Sequence, residues 1–213
     1  MIFTRYALAL VITILLFAGV YVPAFIAASL FAPDEEAAVP WVVAVSLVAA
    51  LLIMALLSRI AGYRFSAFGF GPPAVRDMLW GVGWGVVIGL VLRLGSALLE
   101  VSGPFSEESF SRWQIIALFW VAAPIQEEVI FRGLLQGTLE GRMRKTIALG
   151  GMRLSIAALI IAVLFAVVHL SVDPLVAVAA LLLGLVAGHL RWRSGSLVPA
   201  VLVHALFNVI PNW

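Results

Sequence analysis

The chain has 213 residues, of which 64% are hydrophobic and only 11% charged, and its mean hydropathy is +1.16. Soluble domains carry about 25% charged residues and disordered chains need low hydrophobicity with high net charge, so both classes are excluded and a polytopic membrane protein remains. The net charge of +2, without a basic patch interleaved with aromatics, argues against a nucleic-acid partner, and the lack of cysteine removes disulfides, thiolate nucleophiles and cysteine-type metal sites.

Apolar runs long enough to cross ~30 Å of hydrocarbon occur at about 7–31, 39–58, 78–99, 113–139, 154–170, 174–192 and 196–212. This predicts an all-α, polytopic transmembrane helix bundle of about seven spans. The first run exceeds the 7–15 apolar residues of a signal-peptide core, so it reads as a retained anchor. Ten basic residues (Arg5, Arg59, Arg64, Arg76, Arg142, Arg144, Lys145, Arg153, Arg191, Arg193) fall on one side, and only Arg112 falls on the other. That second side carries Asp34, Glu35, Glu36, Glu100, Glu107, Glu108 and Asp173. The bias places the N-terminus in the cytoplasm.

Local signals agree with these boundaries. Trp41, Trp80, Trp84, Trp113, Trp192 and Trp213 sit near span ends, as interfacial Trp does. Asp173 and Pro174 read as a helix cap and first helical residue, and Ser194-Gly195-Ser196 as a break between two helices. The stretch 62–73 is no helix interior, and its Phe65, Phe68 and Phe70 are expected along the inner membrane surface, in a partly buried loop.

Once the charges are sorted by side, four remain inside the membrane: Arg93, Glu127, Glu128 and Arg132. A charge at the bilayer centre costs about 2.5–3.5 kcal/mol even on insertion scales, so each needs a partner or a purpose. Glu128 and Arg132 are four apart in the order that favours pairing. Glu127 points about 100° away on an α-helix, in an apolar setting of the kind that makes a carboxylate a usable base. Phe165 shares a face with His169, and His204 with Asn208. Three helices thus each present a polar face, best hidden by turning all three toward one cavity. Singly these are ordinary features: a His bonded to a carbonyl, an Asn as interhelical glue, a Glu–Arg pair fixing register. Together they point to a site. Arg93 either neutralises a buried group such as Glu127 or pairs with Glu100, and the structural role is expected.

The chemistry that suits this set uses water as nucleophile, since no Gly-x-Ser-x-Gly elbow, phosphate-cradling glycine run or Ser–His pairing occurs. A carboxylate and an imidazole can activate the water, while a second imidazole and an amide can stabilise an oxyanion. Glu127, His169, His204 and Asn208 supply those parts. Glu127, His169 and His204 could equally bind a metal such as zinc, and spacing alone does not separate the two.

At these residues the sequence resembles the CPBP family of intramembrane endopeptidases, which includes the CAAX prenyl endopeptidases and the bacteriocin-processing, immunity and abortive-infection proteins. Glu127, Glu128 and Arg132 match its Glu-Glu-x-x-x-Arg motif, Phe165 and His169 its Phe-x-x-x-His motif, and His204 and Asn208 its His-x-x-x-Asn motif. The resemblance covers about 113–211. It divides the chain into N-terminal spans (1–112) and a catalytic membrane core (113–213). It implies that Glu127 and His169 activate water, that His204 and Asn208 form an oxyanion hole, and that Glu128, Arg132 and Phe165 support the site. It favours a mechanism without a metal, with zinc as the alternative. The implied substrate is a membrane-embedded or lipid-anchored peptide, and the expected location a bacterial plasma membrane. The rival expectation is a non-catalytic immunity factor or scaffold of the same fold. A transporter would show repeat symmetry, which is not seen.

Overall fold

The computed structural model describes residues 2–99, 110–149, 152–170 and 174–212. Seven helices account for nearly all of them: α1 (Ile2–Phe31), α2 (Glu35–Ile60), α3 (Val75–Leu99), α4 (Arg112–Arg142), α5 (Ile156–His169), α6 (Pro174–Ser194) and α7 (Val198–Val209). Two short strands, β1 (Thr146–Leu149) and β2 (Met152–Ser155), form an antiparallel hairpin before α5. The sequence reading assigned this stretch to a cytoplasmic loop and did not foresee the pairing.

Five helices are long and apolar enough to cross a membrane, and the protein is an integral membrane protein. The exceptions are α5, with 14 residues, and α7, with 12. At ~1.5 Å per residue they span only about 21 and 18 Å, less than the hydrocarbon thickness. These two short helices carry His169, His204 and Asn208. A helix that ends inside the bilayer depth delivers its last residues to the interior of the bundle.

The helix ends follow from local chemistry. Asp34 caps α2, its Oδ1 accepting from the Ala37 N–H at 2.7 Å, with Glu35 and Glu36 in the first turn where the helix dipole favours them. Ser155 caps α5 through the Ala158 N–H. Between α6 and α7, Gly195 takes the left-handed conformation at φ +69°, and the Ser194 hydroxyl accepts from the Ser196 N–H at 3.0 Å, giving the expected break. The expected Asp173 cap, together with Glu100, Glu107, Glu108 and Trp213, lies outside the described residues.

Helix α4 is the centre of the bundle. It packs against α1, α2, α5, α6 and α7, and every residue from Glu128 to Leu139 is buried. The other helices meet in pairs along small residues. On α3, Gly81, Gly85 and Gly89 repeat every four residues and face α7. A Cβ at Gly81 would stand 2.6 Å from the Pro199 carbonyl oxygen, and at Gly85 2.8 Å from Leu206 Cβ. Gly184 and Gly188 of α6 admit Ala162 and Ala158 of α5 in the same way. Such stripes let helix backbones approach closely where lipid offers no hydrophobic drive for association.

One expectation needs correction here. Phe68 does not lie along the membrane surface: it is fully buried, under a short 3-10 turn (Phe65–Phe68) that rests on Gly133 and Gly137 of α4. Phe65 and Phe70 are exposed, as expected. Arg93 makes a structural contact, of the kind expected. Four residues beyond Gly89 on the same α3 face, it donates from Nη1 to the Ile210 carbonyl at 3.1 Å, at the C-terminal end of α7. There its charge also complements the helix dipole.

Asp77 and Glu140 are both paired. Arg193 bonds Asp77 at 2.6 Å. Arg191 bonds Glu140 at 2.6 Å and also donates to the Ala67 carbonyl, tying α6 to α4 and to the 65–68 turn. Gln136, fully buried, donates to Glu140 and to the Gly188 carbonyl.

Candidate active site

The site begins with an irregularity in α4. Two stretches, Ile115–Ala122 and Glu128–Gln136, adopt the wider π-helical form, separated by a short α-helical piece, Ala123–Glu127. Pro124 lies in that piece. Its ring has no N–H to return to the preceding turn and crowds the carbonyl four residues back, which weakens the regular α-helical ladder there. π-Helical segments are rare and concentrate at functional sites. Glu127 and Glu128 sit where the α-helical piece passes into the second wide stretch.

Glu128 is fully buried, and one of its oxygens faces an ion-pair partner on one side and a hydrogen-bond partner on the other. Its Oε1 lies 3.2 Å from Arg132 Nη1 and 2.8 Å from His204 Nδ1. The pairing of Glu128 with Arg132 was expected from their spacing; the contact with His204 was not. Since a carboxylate can only accept, Nδ1 of His204 carries the proton and Nε2 points elsewhere. Nε2 stands 3.7 Å from Glu127 Oε2. One imidazole thus lies between the two adjacent carboxylates of α4. Glu127 keeps more access than its neighbour: 22% of its side chain is exposed, against none of Glu128.

His169 is oriented by its own helix. Nδ1 lies 2.7 Å from the Phe165 carbonyl oxygen, which fixes the proton on Nδ1 and leaves Nε2 as a lone-pair acceptor. Phe165 itself is buried and central. Its ring centroid is 4.5 Å from that of His169 and 5.9 Å from that of His204, and the Arg132 guanidinium stacks on it at 4.4 Å. His169 therefore joins the group through the Phe165 ring. Asn208, one turn beyond His204 on α7, donates from Nδ2 to the Phe119 carbonyl of α4 at 2.8 Å. That bond ties the Asn208 amide to α4.

The structure thus unites Glu127, Glu128, Arg132, Phe165 and His204 directly, attaches His169 by ring contact, and ties Asn208 to the helix that bears the glutamates. Among the described residues, no three His, Asp or Glu side chains stand so as to hold a metal ion. A cavity of ≈ 390 Å³ lies between α4, α7 and residues 69–71, lined by apolar groups such as Ile125, Val129, Val201 and Leu202, and none of the candidate catalytic residues lines it.

Sequence reasoning missed three polar residues beside Glu127. Gln126, 3% exposed, donates from Nε2 to Ser46 Oγ of α2 at 2.9 Å and to the Tyr21 hydroxyl of α1 at 3.4 Å. The only signal was an uncharged amide in mid-membrane, which the search for ionisable groups passed over.

Comparison with known proteins bears on the same half of the chain. Residues 108–210 match the family described as type II CAAX prenyl endopeptidase Rce1-like. A protein of Escherichia coli described as an uncharacterized 24.3 kDa protein is 33% identical over 126 residues, 56% of this chain and 54% of the relative, so the chain spans about half the length of that relative. No solved structure matches the chain.

Proposed function

We propose that this integral membrane protein, whose residues 108–210 match the Rce1-like family, is an endopeptidase that hydrolyses peptide bonds of membrane-embedded or lipid-anchored substrates. The reading rests above all on the His204 imidazole, which lies between the Glu127 and Glu128 carboxylates at the irregular turn of α4.

In this reading Glu127 takes one proton of a water molecule, while Nε2 of His169 accepts a hydrogen bond from the other and orients it. The water oxygen adds to the carbonyl carbon of the scissile bond. The resulting oxyanion accepts hydrogen bonds from the Asn208 amide and from Nε2 of His204. With Nδ1 already donating to Glu128, His204 can donate from Nε2 only as the imidazolium, a cation for which two flanking carboxylates provide the counter-charge. Collapse of the tetrahedral intermediate breaks the C–N bond, and Glu127 returns its proton to the departing amine. Arg132 neutralises Glu128, so a buried acid can stand beside the reacting groups without an uncompensated charge. The relative in Escherichia coli suits a bacterial plasma membrane.

The test uses the full chain in proteoliposomes, with internally quenched tail peptides, farnesylated and unmodified. Glu127→Gln should lower cleavage by at least about 10²–10⁴-fold, the usual contribution of a general base, while the protein inserts and folds normally. Unchanged cleavage by that variant would falsify the mechanism.

A further inference from the structure

Among the described residues, no hydrogen bond fixes the direction of Glu127: Oε2 is buried without a hydrogen-bond partner, and His204 Nε2 is 3.7 Å away. Glu127 sits moreover in a helix that changes form around it. Something else must fix that turn if the carboxylate is to act at one place. The adjacent residue carries the anchor. Gln126 is the last residue before Glu127 in the short α-helical piece, and its amide is bonded to two other helices.

The anchor continues beyond Gln126. Ser46, fully buried, accepts from Gln126 Nε2 and passes its own hydroxyl proton to the Val42 carbonyl at 2.6 Å, so α2's backbone is the end of the chain. Tyr21 is held by its rings: Phe17 lies 4.7 Å away, and Phe25 and Phe131 6.1 and 6.4 Å. Phe131 belongs to α4, so α1 grips α4 on both sides of Glu127, at Gln126 and at Phe131. Both amide protons of Gln126 have acceptors, and an apolar replacement would leave the Tyr21 and Ser46 hydroxyls facing each other across a helix they no longer bind. Hydrogen bonds that end on a rigid backbone carbonyl and a packed ring fix position far better than a lone side chain in an apolar bundle.

We propose that Gln126, held by Ser46 of α2 and Tyr21 of α1, is a positioning residue for Glu127, so that helices outside the matched region 108–210 help to set the catalytic turn. The inference rests on the peptidase reading above. It assigns the N-terminal helices a part in the site beyond anchoring the chain.

The experiment compares steady-state cleavage of the same quenched peptides by the full chain and by Gln126→Leu, Ser46→Ala, Ser46→Thr and Glu127→Gln. Gln126→Leu and Ser46→Ala should lower kcat about ten-fold or more with KM unchanged, because substrate binding is untouched and the base is misplaced. Ser46→Thr keeps the hydroxyl and should restore kcat to near the unmodified value. Adding Ser46→Ala to Gln126→Leu should cost no further activity, since Gln126→Leu already removes the bond that Ser46→Ala breaks. If Glu127→Gln is inactive but Gln126→Leu and Ser46→Ala turn over normally, the positioning role is overturned and the peptidase reading stands. Loss of kcat in Ser46→Ala that Ser46→Thr fails to restore also overturns it, as general loosening of the bundle would do this. If the unmodified chain cleaves none of the peptides, or Glu127→Gln cleaves them normally, both fall together.

Discussion

His204 Nδ1 lies 2.8 Å from Glu128 Oε1, joining α7 to α4 at a carboxylate that also holds Arg132 at 3.2 Å. None of the three side chains is more than 5% exposed. Removing one member of a buried ion pair costs about 3–5 kcal/mol because it strands the other. Glu128→Gln should therefore destabilise the protein by an amount of that order. Glu128→Gln combined with Arg132→Met should cost less than the two single changes added together, since no charge is then left alone. Reversible unfolding in detergent, run as a double-mutant cycle, reads this directly; strictly additive losses would show that the pair is not coupled.

Phe165 has its ring in contact with His169, His204 and Arg132 at once. Phe165→Leu keeps much of the buried volume but removes the flat face against which the two imidazoles and the guanidinium are set. Loss of one cation–π contact and two ring contacts should cost about 1–3 kcal/mol of stability. Cleavage should fall more than stability explains, because His169 touches the rest of the group through this ring. The check is kcat measured at a temperature where the variant is fully folded. A kcat equal to that of the unmodified chain would show that His169 is placed by other means.

The polar motifs were legible in the sequence because charge in a membrane is conspicuous. Glu127, Glu128 and Arg132 are three of the four charges that remain after the loops are accounted for, and the four-residue spacing of Glu128 and Arg132 predicts the ion pair that is present. The partner of His204 was not legible. Which glutamate a histidine on another helix meets depends on interhelical register, and here on a helix that leaves α geometry at Glu128. Gln126 and Ser46 escaped for a different reason: an amide and a hydroxyl carry no charge, so hydropathy barely registers them, yet burial makes their bonds obligatory. The half-length of α5 and α7 was also hidden, because an apolar run continues past a helix end without a break in hydropathy.

The glycines of α3 give a contrast within one helix. A Cβ at Gly83 would meet nothing within 4 Å, whereas one at Gly85 would stand 2.8 Å from Leu206 Cβ and 3.1 Å from Val203 Cα. Gly83→Ala should be neutral or stabilising by up to about 1 kcal/mol, the helix-propensity difference. Gly85→Ala should cost about 1–3 kcal/mol, as overpacking does. It should also lower cleavage, because the segment it displaces carries His204 and Asn208. Parallel unfolding and activity curves for the two variants decide the point, and equal behaviour would mean that α3 does not set the position of α7.

Metal removal separates the two chemistries that the same side chains allow. Both imidazoles use Nδ1 locally, His169 for the Phe165 carbonyl and His204 for Glu128, so both have Nε2 free. That orientation serves a water molecule or a metal equally well. We expect the water chemistry, in which His204 sits between two carboxylates. Cleavage by protein purified and assayed in strong chelator should therefore equal that of untreated protein. Added zinc should not raise it. Activity that disappears on chelation and returns with zinc would transfer Glu127 from general base to ligand and require a different account of the reaction.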